Sequence, residues 1–239
     1  MRQQSQSTLL SVRNLRAWYD PAKMILTDLS LELYTHEVIG LIGLNGAGKT
    51  TFLNILSGLH DHFQAADIRM DGLPAAFRNP AFKLRRYTVF AEDHSFCYFT
   101  FREYLSYVFA AYHKTIPDIS ELIHGFHFEK YTDILLKDLS TGSQKKAFLI
   151  TAFALKPDLL LLDEPVNGLD FTSTEFLYRL IAGYKPYGTV LFSSHILESI
   201  TLTSDRVLVL EDGKIQKSFE HEEIDASQIR EALHDEDPI

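Results

Sequence analysis

Cysteine is nearly absent: Cys97 stands alone among 239 residues, so no disulfide can form within the chain and a cysteine-based metal cluster is disfavoured. Long apolar runs are also missing. The richest, Phe148–Leu155, spans eight residues and includes Thr151, whereas a membrane-spanning helix takes about twenty. Positive charge is in deficit, with 23 Lys and Arg against 32 Asp and Glu for a net −9, which argues against a nucleic-acid partner. The first fifteen residues, MRQQSQSTLLSVRNL, hold no apolar leader segment, so no signal peptide and a cytoplasmic location are expected. There is no internal repeat and no low-complexity stretch. What is present is ordinary for a globular protein, 46% hydrophobic and 23% charged residues. The length corresponds to about one to one and a half domains and suffices for a sizeable core. Disordered and collagen-like chains are excluded.

Strand patterns alternate with helical ones, which predicts an α/β fold around a mainly parallel sheet. Leu9–Leu15 and Leu29–Leu33 read as early strands. Val38–Ile42 and Leu159–Leu162 read as buried strands, and Val190–Ser193 and Val207–Leu210 as two more. Phe52, Leu53 and Leu56 have helical spacing, with Gly58 as C-cap. Ser140 precedes a second helix, Lys145–Leu155, which Pro157 ends. Asp212-Gly213 marks a hairpin turn. Eight aromatics crowd the segment from Phe96 to Tyr112. The acidic end, about 220–239, reads as a tail, frayed over His234–Ile239.

The strongest local signal is Gly43-Leu44-Asn45-Gly46-Ala47-Gly48-Lys49-Thr50-Thr51. It matches G-x-x-x-x-G-K-[ST] in full and lies between an apolar strand and a helix. Glycines let the backbone wrap a phosphate chain, and the loop N–H groups with the helix N-terminus form an anion site. Lys49 can reach the β- and γ-phosphates, and the Thr50 hydroxyl is a hard oxygen ligand suited to Mg²⁺. The loop alone says nucleotide; kinases and GTPases carry it too. The strand Leu159–Leu162 ends in Asp163-Glu164-Pro165. Asp163 can hold Mg²⁺, through water, beside the phosphate loop. Glu164, pointing elsewhere, can polarise the water that attacks the γ-phosphorus. A solvated acidic turn is the other reading of this pair.

Leu139-Ser140-Thr141-Gly142-Ser143-Gln144 is similar to the LSGGQ signature of the ATP-binding cassette (ABC) ATPases. Asn167-Gly168-Leu169-Asp170 resembles that family's D-loop, and Ser193-Ser194-His195 its switch-histidine segment. Tyr19 sits where the family's adenine-stacking aromatic falls; Trp18 is a rival, and a core role is the alternative for Tyr19. These motifs occur in the family's order from about Leu10 to Lys217 and set the chain apart from kinases and GTPases. The resemblance implies a P-loop NTPase (RecA-like) parallel-sheet core, an antiparallel β subdomain and an inserted α-helical subdomain at about 95–155, in one nucleotide-binding domain covering 1–239. It implies ATP and Mg²⁺ as ligands. It also implies a second ATPase subunit, with a homodimer sufficing, whose Ser140 and Gly142 face the γ-phosphate bound by the first. His195 would contact that phosphate and hold the attacking water. A separate membrane permease would dock on the segment after the third core strand, where the aromatic cluster lies, placing the chain at the inner face of the cell membrane.

Two departures stand out. Glu92 occupies the place of the family's usual glutamine, and the stretch from Glu92 to Thr100 is one residue short. A carboxylate there is a fair Mg²⁺ ligand but repels the γ-phosphate unless the ion lies between them. In the signature, Thr141 replaces the first glycine and Ser143 the glutamine. Such degeneracy resembles ABC-2-type exporters and points to a small peptide of bacteriocin type or a drug-like molecule as cargo. A cassette ATPase of a non-transport system, such as iron–sulfur assembly, would keep the same motifs.

Overall fold

The computed structural model describes residues 7–233. Two long strands, β1 (Thr8–Asp20) and β2 (Lys23–Tyr34), form an antiparallel hairpin, and β3 (Val38–Ile42) leads into the phosphate loop. Helix α1 (Lys49–Ser57) follows, then the short strands β4 (Phe63–Gln64), β5 (Asp67–Met70) and β6 (Leu73–Pro74), one turn of helix α2 (Pro80–Lys83), and β7 (Arg86–Val89). A helical stretch contains α3 (Phe101–Ala111), α4 (Ser120–Gly125) and α5 (Thr141–Leu155). The chain then runs through β8 (Leu159–Leu162), α6 (Phe171–Ala182), β9 (Thr189–Ser194), α7 (Leu197–Thr203), β10 (Arg206–Glu211), β11 (Lys214–Glu220) and α8 (Ala226–Ala232).

The strands make two sheets. One is antiparallel, in the order β2-β1-β5-β6 with β4 also on β1. The other runs β11-β10-β3-β9-β8-β7; its five core strands are parallel, and β11 returns antiparallel on β10. Burial on both faces explains why β3 and β8 are unbroken apolar runs. Alternate residues feed opposite cores. Ile39, Leu41, Leu159, Leu161 and Leu191 pack toward α1 and the antiparallel sheet. Val38, Ile42, Leu160, Leu162 and Phe192 pack toward α3, α5 and α6. This two-sided sheet holds its loops rigidly where the parallel strands end.

The aromatic segment divides by helical period. Thr100 caps α3 reciprocally with Glu103, and Phe101, Tyr104, Leu105, Val108 and Phe109 form its buried stripe. Phe96, Phe99 and Tyr112 are half-buried against the same core. Tyr98 is 73% exposed, and Tyr107 is exposed as well.

The acidic end is less of a tail than its composition suggests. Asp225 caps α8 by accepting from the N–H groups of Ser227 and Gln228, and Ile229, Ala232 and Leu233 are buried in the core that holds α5. Three apolar residues at helical spacing outweigh the surrounding acids. His234–Ile239, expected to fray, lie outside the described residues. Among the described residues, no helix is long and apolar enough to cross a membrane.

Candidate functional site

The phosphate loop joins the end of β3 to the start of α1. Gly48 caps α1 with no side-chain hydrogen bond. The first N–H groups of a helix have no intrahelical partner, so this terminus is available to an anion. Gly46 has φ +86°, a backbone conformation open to glycine at no steric penalty. Lys49 is buried, and its ammonium donates to the carbonyls of Gly43 at 2.7 Å and Leu44 at 3.3 Å. Burial pushes its pKa down, opposed by the nearby charges of Glu164 and Asp163.

A cavity of about 510 Å³ opens over this loop. Asn45, Gly46, Gly48, Lys49, Thr50 and Thr51 line one side, and Glu164, Asn167 and His195 the other. Parallel pairing of β8 with β9 and of β9 with β3 carries Asp163, Glu164 and His195 to the same end of the sheet as the loop.

Asp163 and Glu164 part company at the strand end. The Ser193 hydroxyl donates to Asp163 Oδ1 at 2.6 Å and accepts from the Glu164 N–H at 2.9 Å. Asp163 Oδ2 is buried without a hydrogen-bond partner. A buried carboxylate oxygen left unsatisfied is costly, and it is the hard donor a divalent cation takes. Thr50, exposed to the cavity, offers a second such oxygen. The residues present therefore fit Mg²⁺. Glu164 adopts φ +45°, a left-handed conformation worth about 1–3 kcal/mol of strain in a non-glycine residue. That twist sends its carboxylate to His195, whose Nδ1 lies 2.8 Å from Glu164 Oε2. Because a carboxylate only accepts, Nδ1 carries the proton. Glu164 has 12% of its side chain exposed and His195 50%.

The remaining sequence candidates fall around this centre or away from it. Leu44 and Ala47 line an adjoining hollow with Asn45 and Gly46. Tyr19 is 60% exposed and rests edge-on against His60, ring centroids 4.6 Å apart. Its hydroxyl accepts from Thr51 at 3.5 Å, which places it beside α1, whereas Trp18 is half-buried. Ser140 and Gly142 do not line the cavity. Ser140 is exposed and caps α5, accepting from the Ser143 N–H at 3.2 Å. A Cβ on Gly142 would stand 2.2 Å from the Gly168 carbonyl oxygen, so backbone contact with the turn after Glu164 requires glycine here. Glu92, expected beside Thr50 and Asp163, is not brought to the cavity. It is exposed and lines a separate recess of about 190 Å³ with Asp93, Thr141, Gln144 and Lys145.

The structure adds Lys145 and Lys146 to the sequence candidates and gives Ser193, legible in the sequence only within the switch-histidine segment, a bridging role. Ser193 joins Asp163 to Glu164, as described. Lys146 pairs with Asp170 at 2.6 Å and holds that carboxyl well below its usual range. Lys145 is buried and donates to the carbonyls of Phe90 at 2.6 Å and Ala91 at 2.7 Å. Burial lowers its pKa to about 8, with Asp163, Asp93, Glu164 and Glu92 pulling the other way. Two adjacent lysines in an otherwise apolar helix were the available signal.

A parallel sheet with a glycine-rich loop at one strand end and two carboxylates at another defines a P-loop NTPase. Comparison with known proteins narrows the class. The model of the ABC transporter family matches residues 26–167, and the chain belongs to that family as an ATP-binding subunit and ATPase. AlbC of Bacillus subtilis, a putative ABC transporter ATP-binding protein, is 34% identical over 218 residues, covering 88% of this chain and 91% of AlbC. SkfE of the same organism, the SkfA peptide export ATP-binding protein, is 30% identical over 218 residues, covering 88% and 89%. A solved ATP-binding subunit of an ABC transporter superposes with a TM-score of 0.80 at 26% identity and covers 95% of both chains.

Proposed function

We propose that this chain binds ATP with Mg²⁺ in the phosphate-loop cavity, pairs with a second copy around two ATP molecules, and uses the cycle to drive a separate membrane permease that exports a small peptide. The observation that carries the reading is the meeting of Lys49, Thr50, Glu164 and His195 around one cavity, while Ser140 stands exposed outside it.

The loop N–H groups and Lys49 bind and orient the β- and γ-phosphates. Tyr19 stacks on the adenine from its exposed position beside α1. Thr50 and Asp163 are the residues that would hold Mg²⁺; Glu92, which lines the separate recess, would join them only by a shift of its loop toward the cavity. Bound there, the ion would neutralise charge on the phosphate oxygens. Glu164 takes the proton of the attacking water. His195, oriented by Glu164, presents its other ring nitrogen toward the phosphate. Ser140 and the N-terminus of α5 reach the γ-phosphate of the partner's ATP, so binding closes the pair and hydrolysis reopens it.

Peptide export is supported by the relatedness to SkfE, and docking by Tyr98 and Tyr107, two exposed aromatics beside the half-buried Phe96 and Phe99. The permease would hold the chain at the inner face of the membrane. The test is co-purification of the tagged chain from detergent-solubilised membranes of its own cell. A polytopic membrane protein should be retained by wild type and lost with Tyr98→Ala, with ATP binding unchanged. Failure of wild type to retain any such protein would remove the transport reading.

A further inference from the structure

At the corner of the parallel sheet, the ladder between β7 and β8 ends with the Asp163 N–H donating to the Val89 carbonyl at 2.8 Å. Beyond that bond β8 turns away at Glu164, and the next two carbonyls of the β7 side, Phe90 and Ala91, lose their strand partner. The ammonium of Lys145 takes both, at 2.6 and 2.7 Å. Lys145 lies one turn into α5, the helix that Ser140 opens. The following residue, Lys146, ties the same turn to Asp170. One turn of helix therefore grips the loop that carries Glu92 on one side and the turn after Glu164 on the other. A core position needs only the aliphatic stem of a lysine; methionine would fill the space without burying a charge. The ammonium is accounted for by the two half-buried carbonyls, which lose their strand partner at this corner.

We propose that Lys145 is a positioning residue for ATP turnover: its buried ammonium clamps the loop bearing Glu92 to the first turn of the helix that Ser140 opens, so the two segments are set as one unit. The proposal rests on the reading above in which Glu92 and Ser140 act in turnover. The clamp itself is a contact within one chain and can be examined apart from that reading.

The experiment uses the full chain with Lys145→Met, Lys145→Gln and Glu92→Ala, alone and combined. Hydrogen–deuterium exchange reads the clamp. Lys145→Met should raise exchange across residues 90–95 by about tenfold or more while strand β8 stays protected, and Lys145→Gln, which keeps a donor, should restore part of the protection. Steady-state kinetics read the positioning. Lys145→Met should lower kcat by about ten- to a hundredfold with KM for ATP nearly unchanged, and the loss should shrink to about twofold when Glu92 is already Ala. Unchanged exchange at 90–95 would overturn the clamp even if kcat fell. An equal kcat loss in both backgrounds, or no kcat loss, would overturn the positioning role. If Glu92→Ala alone left turnover and its Mg²⁺ dependence untouched, the role given to Glu92 and the positioning role together would fall, and the exchange result alone would decide the clamp.

Discussion

At the phosphate loop, Lys49 is buried and its ammonium is held by carbonyls of its own loop. At the start of α5, Ser140 stands in solvent and its hydroxyl bonds only to Ser143 among the described residues. The first region is braced from within: Ser193 fixes Asp163 and Glu164, and Glu164 fixes His195. The second is braced only from behind, by Lys145, by Lys146 and by the contact of Gly142 with Gly168. A cavity with its own internal order can hold ligand within one chain. A supported but outward-facing helix end is fitted to meet something on another.

Substitutions in the two regions should therefore fail differently. The largest effect belongs to Lys49→Ala, which removes the buried cation facing the phosphates. Calorimetry should find ATP binding abolished, and binding at wild-type affinity would break the comparison at its first term. Glu164→Gln should cut turnover by about 10²–10⁴ while ATP still binds, because it removes a general base and keeps the shape. Near wild-type turnover would strip Glu164 of that role. Ser193→Ala leaves Asp163 Oδ1 without its donor, and support of this kind is worth about ten- to a hundredfold in metal affinity or activity. The Mg²⁺ concentration giving half-maximal ATPase should rise accordingly; an unchanged value would detach Asp163 from the ion. The smallest effect is expected for Tyr19→Ala, with KM for ATP rising about fivefold, the lower end of what base–aromatic stacking contributes. A lasting KM would return adenine contact to Trp18.

Local patterns made much of this legible in the sequence. Val38–Ile42 and Leu159–Leu162 are apolar on both faces, so their bounds could be read to the residue. The phosphate loop is contiguous, and Ser140 and Gly58 announced a helix start and a helix stop. Long-range pairing was not legible. The one-turn helix and the two-residue strands between Phe63 and Lys83 carry too few residues for a period. Burial of α8 is decided by three apolar side chains among many acids. Glu92 was aligned by its distance along the chain from Val89, but its direction depends on Lys145, which lies over fifty residues away. Ser193 was legible only as part of the Ser193-Ser194-His195 segment; its bridge between Asp163 and Glu164 has no signature until its neighbours across the sheet are known.

We propose that ATP is enclosed by two chains, each completing the cavity of the other. This is tested most directly by sedimentation of the Glu164→Gln chain with MgATP, alone and combined with Ser140→Arg. The single variant should give a stable species of two chains holding two ATP. The double variant should give single chains that still bind ATP. A single-chain species that shields its ATP fully, or pairing undisturbed by arginine at 140, would contradict the proposal.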